Sequence, residues 1–153
     1  MINGKIVVYT AGTWDLFHRG HVNILRESKK LGDVLIVGVS TDKLVKKYKK
    51  IYPTFSYRDR KCIVTACKYV NKSIIQDILI DIKILKKYKV DIVTIGDDWK
   101  DKKLKGLEYM RKNGKVIYLP YTSHVSTTVL KRKIIQSAFD IIKADVLRTS
   151  QKD

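Results

Sequence analysis

Short, unbroken apolar runs alternate with amphipathic stretches along this chain, and the two kinds of segment predict different elements. Lys5 to Ala11 (KIVVYTA) is apolar and β-branched, too short for a helix, and stops at Gly12, which reads as a buried strand. Val22, Leu25 and Leu31 then recur at helical spacing among Arg26, Glu27, Lys29 and Lys30, with Gly32 placed to end the helix. Val34 to Val39 (VLIVGV) is a second apolar strand, and Ser40-Thr41-Asp42 after it can cap a further helix. Lys46 to Phe55 carries a proline and no clear period, the pattern of a mobile loop. Tyr57 to Val70 is expected to be helical, with Ile63, Ala66, Cys67 and Val70 on one face. Ser73 to Ile75 reads as a short strand, Asp81 to Tyr88 as a helix, and Val90 to Ile95 as a strand running into Gly96-Asp97-Asp98-Trp99. A helix over Lys105 to Asn113 ends at Gly114, and the strand Val116 to Leu119 is stopped by Pro120. The last helix is expected from Thr127 to near Lys143, and there is no internal repeat.

Strands that are solid apolar runs, each followed by a helix, describe the α/β class: a Rossmann-like parallel sheet with helices on both faces. With 153 residues, 44% of them hydrophobic, one domain over 1–143 and a polar tail over 144–153 are expected. Ligands of such folds bind beyond the carboxyl ends of the strands. The segments placed there are AGTWDLFHRGH, STD, GDDW and YTSHVSTT, so most of the unusual polar residues converge on one edge.

The formal charge of +17 raises the possibility of a nucleic-acid-binding domain. Its lysines, however, are spread over Lys29-Lys30, Lys46 to Lys50, Lys83 to Lys89, Lys100 to Lys105 and Lys131 to Lys133, and no aromatic-basic binding module accompanies them. The charge implies instead a positive field that draws in small anionic substrates, and no stable nucleic-acid partner is expected. Cys62 and Cys67 lie five apart with no second pair, so they read as idle thiols in a reducing compartment. The N-terminal residues lack a cationic segment followed by a long apolar run, and no stretch approaches the ~20 apolar residues of a membrane span. A soluble, cytoplasmic protein is the expectation.

Two of only three histidines, His18 and His21, fall at the entrance to the first helix with Gly20 between them. Free amides at a helix start favour an anion, and glycine permits close approach, so phosphate is the natural ligand. As metal ligands the pair lacks partners, and no residue is expected to hold a metal.

Taken in order, Gly12-Thr13-Trp14-Asp15, His18-Arg19-Gly20-His21, Arg58-Asp59-Arg60-Lys61, Gly96-Asp97-Asp98-Trp99 and Ser126-Thr127-Thr128 resemble the motifs of the cytidylyltransferases, most of all the glycerol-3-phosphate type. The likeness runs from about Val7 to about Ile135. It implies an enzyme in which a phosphorylated alcohol attacks the α-phosphate of CTP, with release of pyrophosphate, in a homodimer. The implied catalytic residues are His18, His21, Lys49 and Arg60. Nucleotide contacts are implied for Gly12, Thr13, Trp14, His18, His21, Gly96, Asp98, Thr122, Ser126, Thr127 and Thr128, and acceptor contacts for Asp15, Asp42, Lys47, Lys49 and Lys68. Lys50 is an alternative to Lys47 and Lys49; Arg60 is implied more strongly than these lysines, although it can also serve only as an ion-pair partner, and Asp15 and Asp42 read equally as helix caps. Mg²⁺ is expected as a counter-ion held largely by the triphosphate. Two departures stand out: Tyr121 and Lys68 occupy positions where the family carries arginine, and Arg and Lys differ in how they clamp phosphate. Glycerol phosphate, ribitol phosphate, choline or ethanolamine phosphate and a sugar phosphate all remain open as acceptors, and ATP remains open beside CTP.

Overall fold

In the computed structural model, which describes residues 4–149, the apolar runs form β1 (Val7–Gly12), β2 (Val34–Ser40), β3 (Lys72–Gln76), β4 (Ile92–Gly96) and β5 (Lys115–Leu119). All pair in parallel, in the order β3-β2-β1-β4-β5. The helices are α1 (Arg19–Lys29), α2 (Asp42–Lys49), α3 (Tyr57–Ala66), α4 (Ile82–Lys87), α5 (Lys105–Asn113) and α6 (Thr127–Thr149). The central strands β1, β2 and β4 are buried on both faces and are therefore mostly apolar, whereas the edge strand β3 (KSIIQ) alternates, with Lys72 and Ile75 exposed. One face packs Val8, Leu35, Val37 and Val39 against Leu25 of α1 and Val64 of α3. The other packs Val7, Tyr9, Ile36 and Val93 against Leu85 of α4 and Leu107 and Met110 of α5. This is the α/β arrangement the apolar pattern predicts.

Polar groups inside this core are paired, as burial demands. The Tyr9 hydroxyl donates to Gln76 Oε1 at 2.8 Å, and Gln76 Nε2 donates to Ser40 Oγ at 2.9 Å, tying β1, β3 and β2 together across one face. Gly38 is required beneath this chain, since a β-carbon there would lie 2.2 Å from the Tyr9 oxygen. Desolvation of the buried Tyr9 hydroxyl, with Asp81 adding a smaller push, raises its pKa and keeps it a donor.

Element boundaries depart from the sequence reading in four informative places. Residues 46–49, read as part of a loop, belong to α2, because Thr41 Oγ1 caps the Leu44 amide at 3.2 Å and Leu44 and Val45 bury one side of the helix. Lys50 closes that helix in the left-handed region, at φ 64°. α3 stops at Ala66 rather than Val70, with Cys67 extended, and Cys62 alone of the two cysteines lies within it. α1 starts at Arg19, ahead of its apolar pattern, because His18 caps it. Finally, α6 continues to Thr149, past the expected end near Lys143.

Candidate functional site

A cleft of about 250 Å³ opens beyond the carboxyl ends of β1 and β4, bordered by the starts of α1 and α6. Each helix start turns the positive end of its dipole toward the same space, which favours anions in the cleft.

His18 and His21 are held by backbone amides of their own turn. The Gly20 amide donates to His18 Nδ1 at 3.1 Å, and the His18 amide donates to His21 Nδ1 at 3.2 Å, a reciprocal cap in which imidazoles replace the usual hydroxyl and carboxylate. A ring nitrogen that accepts an amide proton carries none itself, so in both neutral rings the proton sits on Nε2. The cap therefore fixes each histidine as an Nε2–H donor. The rings stack at 3.8 Å between centroids, and Trp14 and Phe17 each lie 5.4 Å from the His21 ring. Gly20 cannot carry a side chain here, because a β-carbon would sit 2.9 Å from His18 Cε1.

This crowding sets the protonation state. Desolvation, followed by repulsion from His18 and Lys49, lowers the His21 pKa to about 3 against an opposing pull from Asp15. Desolvation also lowers that of His18. The unfolded chain protonates His21 near 6.5 whereas the folded chain resists to about 3, so the stability it contributes is complete above that window and is lost as pH falls through it. Thermal unfolding is expected to give a Tm that falls from about pH 7 to pH 4, less steeply in His21→Asn. Equal slopes in the two proteins would exclude His21 as the source.

The remaining predicted residues divide into those the cleft gathers and those it does not. Gly12, Thr13, Trp14, Asp15, Lys49, Gly96, Asp98, Thr122, Ser126, Thr127 and Thr128 line it beside the histidines. Trp14 is a wall, not a free contact, since its indole is buried and its N–H donates to Gly38 O at 2.9 Å. Lys49 is exposed as a residue, yet desolvation lowers its pKa, with Asp15 and Asp98 pulling it back up. Burial raises the pKa of the Asp98 carboxyl, and Asp97 adds to the shift.

Several assignments need correcting. Arg60 is fully buried and does not reach the cleft: Nε donates to Phe55 O at 3.0 Å, Nη1 to Thr13 O, and Nη2 to Ser40 O at 2.8 Å and Asp42 Oδ1 at 2.6 Å. With its donors spent on three carbonyls and a carboxylate, Arg60 positions the cleft wall and is not a catalytic residue. Asp42 is outside the cleft for the same reason, with Oδ2 accepting the Tyr57 amide at 3.2 Å. Asp15 does border the cleft, but its two oxygens accept the Thr54 and Phe55 amides at 2.9 Å each, and Lys131 Nζ lies 3.3 Å away. Burial alone would raise the Asp15 pKa; those amides and Lys131 outweigh it and lower it. An acceptor contact is thus a poor description of either aspartate. Lys47 is exposed outside the cleft, and so is Lys68, whose ammonium lies 5.3 Å from the centroid of the Tyr69 ring beyond the end of α3. Of the Ser126-Thr127-Thr128 hydroxyls, Ser126 Oγ caps the Val129 amide at 3.2 Å and Thr127 Oγ1 donates to Asp15 O at 2.9 Å. What this segment offers a ligand is chiefly its amides.

Three residues at the site escaped the sequence reading. The Tyr48 hydroxyl lies 2.7 Å from Thr13 Oγ1, and Asn23 Nδ2 donates to Thr122 Oγ1 at 3.0 Å. Lys131 is the third, and its signal was available: one turn after Thr127, it must face the same way. Among the described residues no group of three or more His, Cys, Asp or Glu could hold a metal ion.

A parallel sheet whose carboxyl edge carries two helix starts, paired Nε2–H donors and a lysine fits a nucleotidyltransferase, and the family and relatives show that class. The chain belongs to the cytidylyltransferase-like family, whose profile matches residues 9–144. It is 42% identical over 131 residues to a glycerol-3-phosphate cytidylyltransferase of Bacillus spizizenii, covering 84% of this chain and 95% of the relative. To the enzyme of the same description from Staphylococcus aureus it is 34% identical over 135 residues, 83% of this chain and 93% of that one. Among solved structures, a lipopolysaccharide core biosynthesis protein from Thermoplasma volcanium matches 80% of this chain and 100% of its own, with a TM-score of 0.64 and 29% identity.

Proposed function

We propose that this protein transfers CMP from CTP to glycerol 3-phosphate. An acceptor phosphate oxygen bonds to the α-phosphorus, the bond from that phosphorus to the oxygen bridging to the β-phosphate breaks, and CDP-glycerol and pyrophosphate result. The observation that carries the reading is the pair of backbone-capped histidines between two helix starts. Such transfer asks a protein for position and for donors around developing charge, and little covalent chemistry. The His18 and His21 Nε2–H groups meet the α-phosphate oxygens as charge grows there. The Thr127 and Thr128 amides hold the outer phosphates, with Lys49 and Lys131 as balancing cations. The names of the Bacillus and Staphylococcus relatives support CTP and glycerol 3-phosphate as the pair.

Mg²⁺ fits this reading as an ion carried by the nucleotide, because the Asp15 oxygens are committed to amides and Asp98 is the remaining cleft carboxylate. When bound it neutralises triphosphate charge. A homodimer in the cytoplasm completes the reading; no helix among the described residues is long and apolar enough to cross a membrane.

Pyrophosphate release with Mg²⁺, measured with CTP and separately with ATP against a panel of phosphorylated alcohols, tests it. Turnover confined to CTP with glycerol 3-phosphate, abolished by EDTA and restored by Mg²⁺, is the expected result. Preference for ATP or another acceptor would overturn the assignment of substrates.

A further inference from the structure

The Tyr48 hydroxyl, in the last turn of α2, belongs to a file of hydrogen bonds that begins in the core and ends at the cleft. Tyr9 Oη donates to Gln76 Oε1 at 2.8 Å, and Gln76 Nε2 donates to Ser40 Oγ at 2.9 Å. Ser40 is fully buried, and having accepted that bond it still has its own hydroxyl proton to place. The Tyr48 oxygen, a hydrogen-bond partner of Ser40, takes it. The Tyr48 proton is then left for Thr13 Oγ1, 2.7 Å away, and the Thr13 proton is left for the cleft that Thr13 lines. The buried end of the file thus sets its direction.

Both hydroxyls are held in place. The Lys49 ammonium lies 5.7 Å from the centroid of the Tyr48 ring, and the Trp99 ring meets it edge to face at 6.3 Å. Arg60 Nη1 donates to the Thr13 carbonyl, so that residue is fixed at main chain and side chain alike. Burial raises the Tyr48 pKa against smaller opposing effects of Thr13, Ser40 and Arg60, which keeps the phenol protonated and a donor.

We propose that Tyr48 is a positioning residue: by donating to Thr13 Oγ1 it turns the Thr13 hydroxyl into a donor aimed at a phosphate oxygen of the bound nucleotide. An unrestrained threonine hydroxyl rotates and has to be ordered when a ligand arrives, whereas this one is ordered beforehand. The inference rests on the nucleotide of the proposed reading and adds the group that orients Thr13.

Calorimetric titration of the full chain with CTP and Mg²⁺, without acceptor, tests it through a double-mutant cycle. Thr13→Val is expected to weaken CTP binding about 10-fold or more, the loss of one hydrogen bond to a charged group. Tyr48→Phe keeps the ring and its contacts and is expected to weaken binding about 5-fold. Added to Thr13→Val it should change the affinity less than about 2-fold, because no hydroxyl is left to orient. Added to Thr13→Ser, which keeps the hydroxyl, it should again cost about 5-fold. A tyrosine that only supports the fold would cost the same in all three backgrounds, and circular dichroism melting verifies that each variant is folded. Equal losses in the parent and in Thr13→Val, or parental affinity in Tyr48→Phe, overturn the positioning role and leave the nucleotide standing. Parental affinity in Thr13→Val overturns it from the other side. A parent that takes up no CTP overturns the substrate reading and this inference together.

Discussion

His21→Ala is expected to lower CTP-dependent pyrophosphate release by about 100-fold or more, the loss that follows removal of one preorganised donor to a developing oxyanion. The loss should fall on kcat rather than KM, because the Nε2–H contact strengthens as charge accumulates in the transition state. Alanine removes an element of the helix cap along with the donor, since His21 Nδ1 accepts the His18 amide. His18→Asn separates the two effects. Asparagine is among the best N-cap residues, so α1 keeps its start while the Nε2–H disappears. A His18→Asn protein that melts with the parent and turns over at least 100-fold more slowly places the chemistry on the imidazole. Full activity in both variants would remove the histidines from the mechanism.

Arg60→Ala is expected to act through the fold. The guanidinium is completely buried, and its loss strands the carbonyls of Thr13, Ser40 and Phe55 and leaves Asp42 without its cation. Breaking a buried charged network costs about 3–5 kcal/mol. For a chain of this length that lowers Tm by roughly 10 °C. Asp42→Ala should cost less, because that side chain is 38% exposed and water can replace it. Arg60→Lys cannot rescue the site, since one ammonium does not reproduce a fork that reaches three carbonyls and a carboxylate. Differential scanning calorimetry decides the matter: an Arg60→Ala protein with parental Tm and lost turnover would return Arg60 to the reacting groups.

The sheet was legible because a strand covered on both sides needs apolar residues at every position, and VLIVGV can hardly be anything else. The histidine turn was legible as part of a site because two histidines and a glycine follow an apolar strand directly, and the structure places all three on the cleft. Arg60 was not. Its principal acceptors are backbone carbonyls contributed by β2 and two loops, and a carbonyl leaves no trace in the sequence. The same applies to Asp15 and Asp42, whose oxygens take amides from Thr54, Phe55 and Tyr57. α2 was obscured by composition: its apolar side is as short as Leu44, Val45 and Tyr48, set among lysines that suit a helix and a loop alike. Lys47 and Lys68 show the limit of motif alignment, since the backbone of α2 and the early end of α3 direct them away from the cleft.

The two helix starts that share the cleft come from opposite ends of the polypeptide, with Thr127 bonded to Asp15 across 112 residues. During synthesis the amino-terminal part leaves the ribosome first and can begin to fold as it emerges. β1, β2, β3 and the histidine turn can therefore assemble early, while β4, β5 and the last helix start are still to come. A nascent chain stalled before Thr127 has the histidines and lacks the second helix start. Under the proposed function, triphosphate binding needs both helix starts, so its mass-action stabilisation falls on chains that include Thr127 and passes over shorter ones.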